Sequence, residues 1–293
     1  MLPDHVRIRS MSLDYLHPFA GQHAIQSAIF ALDFTSELEL NELTRLKLSA
    51  AELSADFPKI SDQHRATLRV QIKSGKPNSG ESTAAMDAGG FVMERPSPSQ
   101  IGQTPPIRFI NVTRENIVIV INDYTRWAKF KADVDRYLSI LLKSVNAQKG
   151  IASVGLQFTD AFAWKADPED LDLSEVFSTK TEYLVPSVFK RGSQLWHSHH
   201  GYLLEQTKPI EFQQLDNVNI SRTVVGPHQQ LQLQVLTSHK ATFARPLYKI
   251  LDSNRMKLSQ IADLLHTKNK EILADILTEA VQSKIGLSAS EEE

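Results

Sequence analysis

Period-two alternation of apolar and polar residues recurs along this chain and constrains its fold more than any other feature. In ATLRVQIK, residues 66–73, Leu68, Val70 and Ile72 fall on one side. In IASVGLQFTDAFAW, residues 151–164, Val154, Leu156 and Phe158 do the same. Such runs mark strands with one buried and one wetter face, which suits antiparallel pairing rather than a doubly wound parallel sheet. PIRFINV and NIVIVIN bracket a TREN turn and read as a hairpin. Residues 24–34 and the runs near 194–206, 212–224 and 230–243 add further strands, the last two joined by a turn at Gly226-Pro227.

Between these runs the period changes to that of a helix. Ser36-x-x-Glu39 has the pattern of a capping box ahead of a helix ending near Phe57-Pro58, with Leu43, Leu46, Ala50 and Leu53 on one face. A second helix is expected from Thr125, as its cap, to about Gln148, with Trp127, Phe130, Val134, Tyr137, Leu138, Leu141 and Val145 in one stripe. A short helix is expected at 171–177, and a C-terminal helical region from Pro246 to Lys284, broken near 266–270.

The fold class expected is therefore α+β: antiparallel sheet covered on one face by long amphipathic helices, in two similar halves. The organisation reads as an N-terminal extension (1–23), a first α+β half (24–124), a second half (125–245), C-terminal helices packed on the sheet (246–286) and an acidic tail (287–293). Residues 74–105 hold five of the twelve glycines and read as two loops around one short strand, GFVMER at 90–95. The 74–89 loop is the segment expected to be mobile, as a lid or docking element.

Composition narrows the chemistry. With no cysteine in 293 residues there is no disulfide, thiol nucleophile or Cys-ligated metal. Lys and Arg number 32 against 34 Asp and Glu, which argues against a bulk nucleic-acid binder. Asp4, His5, Arg7, Arg9 and Asp14 interrupt the N-terminus where a signal peptide would be apolar, and no later stretch is apolar over a membrane span, so a cytoplasmic protein without a transmembrane segment is expected. No phosphate loop, HExxH or GxSxG motif occurs, and no cofactor is implied.

Three constellations are candidate sites. Tyr124, Arg126 and Trp127, where the hairpin meets the second helix, can form a binding corner of the residue types that dominate interfaces. Trp196-His197-Ser198-His199-His200 is the densest ionisable cluster; on a strand His197 and His199 share one side and His200 the other. With His228, His239 or Asp216 as a third ligand, His197 and His199 could hold a metal in a hydrolase, with His199 as a possible general base. LSQIADLLHTKNKEILADIL, residues 258–277, has the spacing of a helix-turn-helix, yet Glu271, Asp275 and Glu279 would face phosphates.

The order of several landmarks resembles a sporadically distributed, largely uncharacterised family of prokaryotic proteins of about this length. These are the strand and helix ending at Phe57-Pro58, NVTRENIVIVIN running into Tyr124-x-x-Trp127-x-x-Phe130, VGLQFTDAF, Leu251-Asp252 ahead of His266, and ILADILTEAVQSKIG. The chain departs from the family pattern at Gln157, Phe158 and Thr159. The resemblance implies no activity or catalytic residues. The family's patchy distribution implies mobile accessory genes and a role in bacterial conflict with phages or mobile elements.

Taken together, these features suggest a non-catalytic binding, sensor or adaptor protein. A groove between helices and sheet would recognise a protein partner, a second copy or a hydrophobic ligand. The alternatives are a metal-dependent hydrolase at 197–200, a DNA-binding regulator through 258–277, and a lipid or membrane-surface sensor.

Overall fold

A computed structural model describes residues 13–72, 80–98, 105–145, 148–190, 194–248 and 252–287. It is a mixed α/β fold built on one large antiparallel sheet with few helices. The strands are β1 (Leu16–Pro18), β2 (Ile25–Phe34), β3 (Lys59–Ile72), β4 (Gly80–Arg95), β5 (Arg108–Thr113), β6 (Asn116–Ile121), β7 (Ile151–Trp164), β8 (Trp196–Gln206), β9 (Phe212–Val225) and β10 (Gln230–Leu247). Their order is β3-β4-β5-β6-β2-β7-β10-β9-β8, with β1 added to β7. The central β2–β7 pair joins strands from the two sequence halves in one unbroken sheet.

The helices are α1 (Leu40–Ala50), α2 (Trp127–Leu141), α3 (Leu173–Val176), α4 (Asp252–Ile276) and α5 (Glu279–Lys284). On β7 the inward register runs through Val154, Leu156, Phe158, Asp160, Phe162 and Trp164, all buried. Two apolar clusters result. One gathers α1, α2 and the first half of α4 over β2, β5, β6 and β7, and the other gathers α3, α5 and the second half of α4 over β7, β9 and β10. Leu258, Ile261, Ala262 and Leu265 of α4 belong to the first cluster, and Ile272, Leu273 and Ile276 to the second.

Several local expectations are corrected. The capping box is one turn later than Ser36: Glu39 is the cap of α1, its backbone N–H donating to the Glu42 carboxylate at 2.8 Å. Arg126, not Thr125, precedes the first turn of α2 as its cap, and that turn has no side-chain cap. Residues 80–89, expected within a loop, form the first part of β4, paired with β3 from Ile72↔Gly80 onward. Small residues in that stretch carry no alternation, so the strand was invisible to periodicity; residues 74–79 lie outside those described. The inward direction assigned to Leu68, Val70 and Ile72 concerns side chains that also lie outside them. Within β4, Gly90 has φ +156°, and a Cβ there would sit 2.0 Å from the Val112 carbonyl oxygen. Only glycine allows β5 to approach at that point.

The C-terminal region also differs. Pro246 lies in β10, and α4 continues through 266–270 without a break; the interruption falls at Leu277 and Thr278. Asn269 accepts a hydrogen bond from Thr237 of β10, and His266 stacks on Trp127, so this polar stretch is tied to the sheet and to α2 while remaining helical. Residues 258–276 therefore form no helix-turn-helix. Among the described residues no helix is long and apolar enough to cross a membrane.

Candidate functional site

The corner that carries Tyr124, Arg126 and Trp127 lies where β6 turns into α2, beside the middle of α4. Tyr124 is buried, with its ring edge-on to Phe158 at 6.2 Å and to His23 at 5.6 Å between centroids. Trp127 is half-buried; its indole N–H donates to Asp263 of α4 at 2.9 Å. Its ring lies flat on His266, 4.1 Å between centroids and 2° between planes. Burial, followed by the nearby charge of Lys270, pulls the His266 imidazole down to about 4, so it is neutral at physiological pH. Arg126 is exposed beside it.

Two cavities share Trp127 as a wall. The first is a groove of about 330 Å³ between α2 and α4. Phe30 of β2, Trp127, Phe130, Val134 and Leu138 of α2, and Leu258 of α4 make its apolar surface. Lys131 and Lys143 also line it, the first held by Asp263 at 2.6 Å and the second within 3.5 Å of Glu52. The groove exists because α2 and α4 both pack on the central strands while small residues, Ser139, Ser259 and Ala262, occupy the facing positions.

The second cavity is a cleft of about 450 Å³ on the other side of the tryptophan, between the start of β2, the Tyr124 corner and α4. It contains Asp160 of β7, which is 1% exposed and has one carboxylate oxygen, Oδ2, without a hydrogen-bond partner. Burial pushes its carboxyl up to about 7. Beside Asp160 the pairing of β2 with β7 slips at Gln26, a bulge of the kind that re-aims side chains near sites. Burial, with the charge of Asp160 added, holds the Tyr124 hydroxyl proton on well above the ordinary range.

The histidine cluster falls on β8, at one edge of the sheet. His197 and His199 are exposed on the face opposite the helices, across from Ser221 and Asn219 of β9. His200 points the other way, half-buried, with its Nε2 3.0 Å from the Ser198 hydroxyl and its ring edge-on to Tyr183. Trp196 is half-buried against the Phe177 ring at 6.2 Å. The proposed third ligands do not converge on His197 and His199. Asp216 and His239 are wholly buried beneath α4, paired at 2.7 Å, with Gln214 donating to both Asp216 oxygens at 2.8 and 3.0 Å. His228 is exposed in the β9–β10 turn. Among the described residues no three His, Asp or Glu side chains are grouped to hold a metal ion.

Of the anticipated residues, then, Tyr124, Arg126 and Trp127 meet at a cavity, while the 196–200 group is split between two faces of an edge strand. Sequence reasoning passed over His23, Asp160 and His266. The signal for Asp160 was present: it occupies the inward register of β7 that Leu156, Phe158 and Phe162 define.

No protein-family model and no curated protein matches this chain.

Proposed function

We propose that this chain is a non-catalytic recognition protein that takes a small hydrophobic ligand in the groove between α2 and α4. The observation that carries the reading is the groove itself. About 330 Å³ is left open between the two helices, within the size range of small-molecule sites, and its walls are predominantly apolar and aromatic. An amphipathic molecule fits it best: a hydrocarbon body against Phe130, Val134 and Leu258, with an anionic head reaching the exposed Lys143. Trp127 gives the site a built-in reporter.

The test is a titration of the purified protein with dodecanoate, followed by tryptophan fluorescence and calorimetry. Saturable binding is expected, and Ser259→Phe, which fills the groove from α4, weakens it at least tenfold while the thermal transition is kept. Absence of saturable binding, or binding indifferent to Ser259→Phe, refutes the reading. A cytoplasmic sensor or adaptor in a bacterial conflict system is the setting we propose for this recognition, as the family resemblance implies. A protein partner that co-purifies stoichiometrically and is released by dodecanoate would support it.

A further inference from the structure

We infer that the cleft beside Asp160 is a second binding site, for a small molecule carrying a primary ammonium group at one end and an anionic group at the other. The inference starts from two acceptors left without donors. Asp160 Oδ2 and His23 Nδ1 are both buried, neither has a hydrogen-bond partner, and the two residues that carry them line the cleft. Native proteins rarely leave such atoms unpaired, because each forfeits the hydrogen bonds it made with water. One His23 ring nitrogen already donates to the Tyr124 carbonyl; burial first, against that bond, lowers its pKa, so near neutral pH Nδ1 keeps a free lone pair.

An ammonium group supplies three N–H donors from one point, and its charge matches a carboxylate that has lost its water. A neutral hydroxyl would satisfy one acceptor and leave Asp160 uncompensated. Arg126 and Lys270 line the same cleft. They would repel a plain cation, and they suit a ligand whose other end is a carboxylate or a phosphate. A cleft of about 450 Å³ has room for a molecule of amino-acid size. The neutral His266 closes one wall with Trp127 and adds no charge.

The charged and titratable groups that line the cleft with Asp160 are His23 before β2, Tyr124 and Arg126 at the β6–α2 corner, and His266 and Lys270 on α4; its strand neighbours Ile25 and Val235 carry none. Tyr124 keeps its proton across the neutral range. Asp160 changes state there, and the ammonium requires it ionised. Affinity therefore falls as pH drops below 7 and levels off above it.

The experiment is calorimetric titration of the whole chain at pH 6 and pH 8 with 4-aminobutyrate, butylamine, butyrate and the common L-amino acids. At least one ligand bearing both charges is expected to bind saturably, about tenfold more tightly at pH 8, with butyrate not binding. Asp160→Asn is expected to weaken that ligand at least tenfold, and Arg126→Gln to weaken it while tightening butylamine, whose repulsion by Arg126 is then lifted. Absence of saturable amine binding, equal binding of butyrate, or indifference to Asp160→Asn overturns the inference. Should Asp160→Asn fail to fold, the carboxyl ¹³C titration of Asp160 in the wild-type chain decides: added ligand lowers its midpoint if the inference holds, and an unmoved midpoint refutes it.

Discussion

Asp160→Asn separates the cost of a buried charge from everything else in the fold. The wild-type carboxyl is held at about 7 by burial, against an ordinary value of 3.8. At about 1.4 kcal/mol per tenfold, ionising it inside the sheet costs roughly 4 kcal/mol relative to an unfolded chain that ionises freely. The sign follows from proton counts. Between the two pKa values the native state holds a proton that the unfolded state has lost, so stability falls as pH rises. Asp160's contribution is complete below about pH 4, is lost progressively up to pH 7, and is flat above it. Asparagine has nearly the same shape and does not titrate. Urea denaturation of both proteins at pH 5, 6, 7 and 8 isolates this residue, since all other titrating groups cancel in the difference. The wild-type chain should lose about 3 kcal/mol relative to the variant between pH 5 and pH 8, with unchanged denaturant slopes. A difference flat across that range would mean that Asp160 is ionised and compensated in the free protein, and would refute an unpaired buried carboxyl at this position.

Other outcomes follow from the same geometry. Asp216→Ala leaves His239 buried without its 2.7 Å hydrogen-bond partner and should cost about 1–3 kcal/mol, whereas Asp216→Leu combined with His239→Leu should recover much of that, both read from urea midpoints. Gly90→Ala drives a Cβ into the Val112 carbonyl and forces a positive φ, and should destabilise the β4–β5 pairing by about 1–3 kcal/mol by the same assay. His266 should titrate by NMR near pH 4 rather than 6.5, and because its folded value is the lower one, the stability it contributes is lost as pH falls from about 6.5 through 4. In Trp127→Phe, which lacks the indole donor to Asp263 and most of the flat contact, the His266 midpoint should rise toward 6.5; an unmoved midpoint would show that the tryptophan does not seal the site.

Strand positions were legible where the two sheet faces differ in polarity. β5 and β6 follow their alternation to within two residues, closing on Arg114-Glu115, and β7 matches its predicted span from Ile151 to Trp164. The first half of β4 was illegible because Glu81, Ser82, Thr83 and Ala84 carry no apolar period; only pairing with β3 makes them a strand. Near residue 266, a polar run read as a break in the helix because side chains such as His266 and Asn269 ordinarily seek water. Here they meet Trp127 and Thr237 from elsewhere in the chain. The histidines of β8 show the converse: the alternation of His197 and His199 against His200 was readable, but whether any third ligand faced them was not.

Local sequence thus determined the strands whose two faces alternate in polarity, the apolar stripe of α2 and the meeting of Tyr124, Arg126 and Trp127 at one corner, because periodicity and chain adjacency act over a few residues. The tertiary structure alone decided that β2 and β7 join the halves into one sheet, that α4 spans both apolar clusters, and that Asp160 shares a cleft with His23 and His266. Those residues lie more than a hundred positions apart, and what each does depends on the company that strand order and helix packing bring to it.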